Sequence, residues 1–386
     1  MSLNQFYTET LFSESLVKSL NSFYPRTVLD LGFGHGSLLY AARKKWPEAR
    51  LIGVDIDEKN VERANKDRII EAIHYDGFSS NLFHILKDKY KEIDLLISNP
   101  PYFQTDLTEE NKNILKAAGL LQCLSKNRKK IPAELVFFAQ NLRLLTNKGE
   151  MGIILPSGLI TGEKWRNFRK HIFQEYTVKN IIQLPVKSFK RTDAQTFIVI
   201  LSKYINSNKN KKNITVSDIL TNTSIELNIE EAIERSDFQF HFYKKNCSAS
   251  KYKINPQDFI IFRGNVSHAC LKKNKRNYFH TTHFSNQESN LNLEVDSWDA
   301  VNNTQPGDIL LARVGSRCLG KIALVESGSV PISDCIIVVR AKTDNARHHI
   351  WSKLFSKKGD EFFKNTCLGV GAKYITHQSL FNFLTT

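Results

Sequence analysis

At 386 residues, with 41% hydrophobic and 24% charged residues, the chain is longer than one ordinary compact core; this predicts two domains and excludes a disordered or fibrous protein. Its 54 Lys and Arg against 39 Asp and Glu give a formal charge of +15, which favours polyanionic partners, nucleic acid first, with a solvated lysine-rich surface as the plain alternative. Both halves share the excess: residues 1–204 hold 30 basic and 22 acidic side chains, and residues 205–386 hold 24 and 17.

Six scattered cysteines without C-x-x-C spacing read as reduced thiols and offer no metal site. The first residues lack a basic segment followed by an apolar run, and no stretch is long and apolar enough to span a bilayer. A cytoplasmic protein without a membrane partner is expected.

In chain order, β-branched runs at Thr27 to Leu31, Leu51 to Asp55, Ala72 to Tyr75, Ile93 to Ser98, Gly152 to Leu155, Val178 to Leu184 and Thr196 to Ser202 read as strands. Leu38 to Lys45, Glu58 to Ile70, Ala133 to Leu145 and Glu163 to Gln174 repeat apolar residues at helical spacing. This alternation predicts a mostly parallel sheet with helices on both faces. The polar, basic run Tyr204 to Asn213 reads as a linker or exposed turn, and residues 205–258 as a connecting segment. From Phe259 the chain predicts short strands, including Asp308 to Val314, Lys321 to Val325 and Cys335 to Arg340, with helix around His349 to Lys364.

Three glycines, Gly32, Gly34 and Gly36, follow the first strand directly and open a helix, a pattern that lets a ligand approach the backbone at the carboxyl end of a sheet. Asp55 ends the next strand about 20 residues on, where such folds hydrogen-bond ribose hydroxyls. The pairing suits a dinucleotide and S-adenosylmethionine alike, although G-x-G-x-G lacks the third-glycine spacing of the dinucleotide fingerprint. After the third strand, Asp76 offers an acceptor for an adenine amino group and Phe78 a ring for its face, with a helix-capping role as the alternative for Asp76.

The sequence Ser98-Asn-Pro-Pro-Tyr-Phe103 follows the apolar strand at Ile93. An aromatic amino group is a poor nucleophile because its lone pair is delocalised, so an enzyme must offer acceptors that draw its hydrogens out of the ring plane. Asn99 supplies a side-chain carbonyl, Pro100 and Pro101 fix φ and remove two backbone donors, and the Pro100 carbonyl is left to accept the second hydrogen. Tyr102 then stacks on the base. A methyl group carried on a sulfonium needs only in-line positioning, so neither a metal nor a covalent intermediate is required.

Taken in this order, the first 200 or so residues resemble the gamma group of amino-group DNA methyltransferases found in type I and type IIG restriction-modification systems. Phe6-Tyr-Thr-Glu9 resembles the group's N-terminal cofactor segment, with Thr8 the implied contact and Glu9 in place of the usual proline. Leu29 to Gly36 resembles its first cofactor motif, although Leu31 and Phe33 depart from the commoner wording, and the resemblance adds Asp30, Ile56 and Asn99 to the implied cofactor contacts. Val186 to Phe197 is similar to the segment whose aromatic residue holds a flipped base, a role that falls on Phe189, with a core phenylalanine as the alternative. Pro306 to Ser316, Gly320 to Val325, Ser333-Asp334 and Gly369 to Ile375 resemble the target-recognition domain of type I specificity subunits.

The resemblance implies an α/β fold: a Rossmann-like S-adenosylmethionine-dependent methyltransferase domain over 1–204 and a smaller strand-rich α+β DNA-recognition domain over 259–386. It implies sequence-specific methylation of the N6 amino group of an adenine flipped out of double-stranded DNA, with S-adenosylmethionine as cofactor. A separate restriction endonuclease or specificity subunit is the further partner implied, since the chain shows no nuclease constellation of paired carboxylates plus lysine. Lys126, Arg128, Lys129 and Lys130 lie in a segment, Phe103 to Pro132, expected to be a mobile loop that closes on DNA, a solvated helix face being the alternative. Arg313, Arg317, Lys321 and Lys373 are candidates for phosphates or base edges in the second domain. Three other readings share these residues: cytosine N4 methylation, an N-P-P-Y methyltransferase of RNA or of a protein amide, and a non-catalytic DNA-binding subunit.

Overall fold

The computed structural model describes residues 10–22, 24–186, 188–189, 194–203, 213–246, 254–285, 289–296, 298–299, 301–369 and 372–386. The chain divides into two units, Met1–Phe238 and Gln239–Thr386.

The first unit runs α1 (Thr10–Ser19), β1 (Thr27–Leu31), α2 (Ser37–Lys45), β2 (Arg50–Asp55), α3 (Glu58–Asp67), β3 (Glu71–His74), α4 (Leu82–Tyr90), β4 (Ile93–Ser98), β5 (Gln104–Asp106), α5 (Glu109–Ala117) and β6 (Lys130–Pro132). It continues with α6 (Ala133–Leu144), β7 (Leu145–Pro156), α7 (Ser157–Thr161), α8 (Arg166–Glu175), β8 (Thr177–Gln183), β9 (Thr196–Ser202), β10 (Asn213–Asp218), β11 (Thr223–Asn228) and α9 (Ile229–Glu234). Nine strands form one sheet in the order β11-β10-β8-β9-β7-β4-β1-β2-β3. β3, β2, β1, β4 and β7 pair in parallel, and β9 lies antiparallel between β7 and β8.

The strands are nearly continuous apolar runs because both sheet faces are covered. Leu29, Leu31 and Leu96 pack into a core with Phe137 and Phe138 of α6, while Val28, Leu95 and Ile97 pack on the opposite face with Leu16 of α1 and Leu39 of α2. The chain order reverses at β1: β2 and β3 continue to one side and β4 starts on the other. That reversal opens a crevice at the carboxyl ends of β1 and β4, the place where open α/β sheets take their ligands.

Two segments differ from the sequence expectation. Within 205–258, residues 213–234 form β10, β11 and α9, and β10 pairs in parallel with β8, so this stretch extends the main sheet instead of linking domains. Val216 and Leu227 are fully buried, which the alternation of apolar residues in such short strands was too brief to signal. The expected mobile loop at Phe103 to Pro132 is folded as well: β5 pairs with β6, α5 lies between them, and Ile114, Leu115, Leu120 and Ile131 are fully buried. Four apolar anchors in a lysine-rich stretch hold it on the core.

The second unit carries α10 (Phe238–Asn246), β12 (Phe259–Arg263), α11 (His268–Lys273), β13 (Ser289–Val295), β14 (Asp308–Ala312), β15 (Ile322–Ser329), β16 (Ile336–Ala341), α12 (Asp344–Leu354), α13 (Lys357–Thr366) and α14 (His377–Thr385). Its five strands are ordered β12-β16-β14-β15-β13. Period-two alternation sorts their side chains: Ile309, Leu311, Ile337 and Val339 meet the helices at Ile350, Phe362, Leu380 and Leu384. Leu310, Ala312, Ile336 and Val338 face Phe279, Phe284 and Ile332 instead. Asp308, fully buried, pairs across the sheet with Arg340, which donates from Nε at 2.7 Å and from Nη2 at 2.8 Å. This strand-rich α+β arrangement is the one expected from the sequence.

Candidate active site

The glycine turn is built against the end of β2. Gly32 N–H donates to the Val54 carbonyl at 2.7 Å, and Gly32 and Gly36 take φ of +80° and +79°, a region that L side chains rarely adopt. A Cβ on Gly32 would meet the Phe137 ring at 3.1 Å, and one on Gly36 would meet Ile70 at 2.9 Å and Tyr40 at 3.0 Å. At both glycines the space that a Cβ would take is filled by packed side chains of the protein. Gly32→Ala is expected to cost about 1–2 kcal/mol through its left-handed backbone alone, measurable as a lower urea midpoint without a change in slope.

Asp55 is buried and already committed on two sides: its Oδ2 accepts from Gly34 N–H at 2.7 Å and its Oδ1 from Asp57 N–H at 2.8 Å. Asp30, 1% exposed at the end of β1, is different, because its Oδ1 has no hydrogen-bond partner among the described residues. Burial, and secondarily the Asp55 carboxylate, hold the Asp30 carboxyl well above the usual carboxylate range. Beside them Ile56 exposes 49% of its surface, and His74 Nε2 lies 3.0 Å from the Ile56 carbonyl, fixing that backbone.

Asp76 is exposed and closes its own turn, accepting from Phe78 N–H at 2.9 Å; it does not cap α4, whose N-terminal flank is Asn81. Phe78 stands edge-on to Phe137 with centroids 5.2 Å apart and lies 5.9 Å from the half-exposed Phe103. Phe137 thus joins the Gly32 turn to the Phe78 turn, a function that the sequence did not single out. Gln140 adds to it, donating from Nε2 to the Gly77 and Ser79 carbonyls.

The Asn-Pro-Pro-Tyr segment leaves β4 beside this crevice. Ser98 Oγ donates to the Leu31 carbonyl at 3.0 Å, tying the end of β4 to the end of β1. Asn99 is partly exposed, Pro100 buried and Pro101 partly exposed. The Tyr102 hydroxyl donates to Asn99 Oδ1 at 2.7 Å and reaches the Ile154 carbonyl of β7 at 3.3 Å. Burial, and then the nearby Glu134 carboxylate, keep the Tyr102 phenol well above its ordinary range. Phe189 is 1% exposed, edge-on to Tyr102 at 6.5 Å and 5.9 Å from Phe12. It occupies the core position named as its alternative. Thr8 lies outside the described residues.

Of the basic candidates in the first unit, Lys126, Lys129 and Lys130 are exposed, whereas Arg128 stacks on Trp165 at 4.6 Å and is half-buried. In the second unit Arg313 directly follows β14, Arg317 is exposed in the turn beyond it and Lys321 precedes β15. Lys373 joins them, since its carbonyl accepts from Gly315 N–H at 2.9 Å. Arg313 Nε donates to the Asp334 carbonyl at 3.0 Å, so the two sequence motifs that contain these residues meet at one end of the sheet. Arg263 ends β12 at the same edge. Among the described residues no group of three or more His, Cys, Asp or Glu could hold a metal ion, and no helix is long and apolar enough to cross a membrane.

Comparison with known proteins places the sequence and the fold among methyltransferases and restriction-modification proteins. The type II methyltransferase M.CvrRI of Paramecium bursaria Chlorella virus XZ-6E is 23% identical over 292 residues, 71% of this chain and 72% of that protein. A release factor glutamine methyltransferase from Fusobacterium nucleatum is 33% identical over only 94 residues, 24% of this chain and 26% of its own. The crystal structure of the type IIG restriction endonuclease BpuSI shares the fold at a TM-score of 0.50 and 12% identity, covering 96% of this chain and 57% of that one. The chain therefore spans less than two thirds of the last two proteins. The family model described as N-6 DNA Methylase matches residues 2–283, most of the chain, and the chain belongs to the N-6 DNA methylase family.

Proposed function

We propose that the chain methylates the N6 amino group of an adenine flipped out of double-stranded DNA, within a sequence context read by the second unit. One observation carries this: Asn99 stands with its carbonyl oxygen held by the Tyr102 hydroxyl at the end of β4, tied through Ser98 to the glycine turn of β1. An amide acceptor and a ligand crevice share one switch point of the sheet.

S-adenosylmethionine fits the residues present. It carries two cationic groups, and a cation beside the buried Asp30, which has one oxygen unpartnered among the described residues and Asp55 as its neighbour, stabilises the ionised carboxylate that burial disfavours. Asp55 retains lone pairs for ribose hydroxyls beyond its two backbone bonds, Ile56 offers exposed apolar surface to a purine, and Asp76 and Phe78 border the same crevice. Thr8 and the glycines Gly32, Gly34 and Gly36 complete the contacts we assign to the cofactor. When bound, it supplies a methyl group on a sulfonium. The chain's own part is positional: Asn99 and the Pro100 carbonyl draw the amino hydrogens out of the ring plane and turn the nitrogen lone pair toward the methyl group. Tyr102 gives the base an aromatic face, backed by Phe189. Extraction of the base costs a few kcal/mol, which phosphate and base-edge contacts offset; we assign these to Lys126, Lys129, Lys130, Arg313, Arg317, Lys321 and Lys373, with Arg128 partly committed to Trp165.

The N-P-P-Y methyltransferase of protein glutamine is the second reading, since the glutamine enzyme is 33% identical over 94 residues of the chain. The family match through residue 283 and the second unit favour DNA. Modification mapping of DNA from a host expressing the chain is expected to show N6-methyladenine in a single sequence context. Methylated tRNA or protein with unmodified DNA refutes the proposal.

A further inference from the structure

One buried group beside the acceptor site is unused by the scheme above. Glu134 is the second residue of α6 and is 7% exposed, yet its Oε2 has no hydrogen-bond partner among the described residues. A buried carboxylate oxygen without a donor is unfavourable, so its presence there needs a reason. The surroundings supply one. Ala133 N–H donates to the Phe103 carbonyl at 2.9 Å, and Gln104 pairs with Pro132, so the residue before Glu134 is clamped to the residue after Tyr102. The Glu134 carboxylate is close enough to raise the Tyr102 phenol electrostatically.

The Tyr102 hydroxyl, meanwhile, is spent on Asn99 Oδ1 at 2.7 Å, with Ile154 O a poorer acceptor at 3.3 Å. That is the oxygen that must accept from the target amino group. We propose that Glu134 is a positioning residue of the acceptor site: its uncommitted oxygen takes over the Tyr102 hydroxyl when a target amino group claims the Asn99 carbonyl. The exchange lets the partly buried phenol keep a strong acceptor throughout, and it leaves the Asn99 oxygen to the amine. It rests on the reading of Asn99 as the acceptor of the target amine.

The exchange requires an acceptor at position 134, and burial pushes the Glu134 carboxyl up to about 7, opposed by its own backbone N–H and by Lys164. Tyr102 and Lys164 are the ionisable groups facing it. Protonation places a competing O–H on the group, so the methyl-transfer step is expected to slow as pH falls through 7 and to recover above it.

The test measures single-turnover methyl transfer from labelled S-adenosylmethionine to unmodified genomic duplex DNA, with thermal melts on every variant. Glu134→Leu, which keeps bulk and removes the acceptor, is expected to lower the rate constant about tenfold with little change in DNA affinity. Glu134→Gln, which keeps a carbonyl, recovers to within about threefold of the wild type and loses the pH dependence near 7. In a Tyr102→Phe background, where no hydroxyl needs a partner, Glu134→Leu is expected to cost less than about twofold. An equal loss from Glu134→Leu in both backgrounds overturns the proposal, as does an unchanged rate in the wild-type background. A fully active Asn99→Ala chain instead overturns the underlying reading and is scored separately.

Discussion

Asn99→Ala is expected to lower methyl transfer to duplex DNA by about 10²–10³-fold, the usual consequence of removing one preorganised polar partner from a reacting group. The argument is geometric. Asn99 Oδ1 is the side-chain acceptor that leaves β4 at the switch point, and the Pro100 carbonyl alone grips only one of two amino hydrogens, which leaves the amino group planar and its nitrogen lone pair delocalised into the ring. Cofactor affinity should change by less than about threefold, because Asp30, Asp55 and Ile56 belong to β1 and the end of β2 and the glycine turn is held by Val54. Stability should hardly move: the Tyr102 hydroxyl keeps the Ile154 carbonyl as an acceptor. Single-turnover rates beside calorimetric titration of S-adenosylmethionine separate the two effects. Full turnover in this variant sinks the assignment.

Much of this site was legible in the sequence because its elements are local. β1, β4 and β9 fall at the bounds their apolar runs predict, and the glycine turn, Asp55 and Asn99 each sit at a strand end, where period and punctuation coincide. What was missed depends on contacts between distant segments. Phe137 reads as one more apolar residue of a helix, and only the fold shows it filling the space above Gly32 and Gly77. Glu134 stands in Ala-Glu-Leu-Val-Phe-Phe, a stretch apolar on both sides of it, and that isolated charge was the one signal available. Residues 103–132 misled for the opposite reason, since their lysines dominate the composition while Ile114, Leu115, Leu120 and Ile131 decide the packing. Hairpin β10–β11 was too short for its alternation to count against the basic run before it.

The largest loss of stability is expected at Arg169, which is 1% exposed and whose guanidinium is consumed by backbone carbonyls. Nε donates to Ile233 at 2.7 Å, Nη1 to Leu159 at 3.0 Å and Gly162 at 2.9 Å, and Nη2 to Glu234 at 2.7 Å. One side chain of α8 thus satisfies carbonyls from α7, the turn after it and α9. Burial lowers its pKa to about 10, partly offset by Glu234 and Asp237, so the group stays charged at neutral pH. Arg169→Met preserves most of the volume but strands four carbonyl acceptors, two in buried and two in partly buried bonds, at about 1 kcal/mol each; the sum is about 3–5 kcal/mol. For a unit of this size that corresponds to a drop of roughly 10 °C in the first-unit transition by scanning calorimetry. Arg169→Lys should recover only part of it, since one ammonium cannot reach carbonyls arranged around a planar fork. An unshifted transition in Arg169→Met would mean that α7 and α9 are held by their apolar contacts alone. At 25 °C the folded fraction should still transfer methyl groups, because no bond of Arg169 reaches Asn99 or Tyr102.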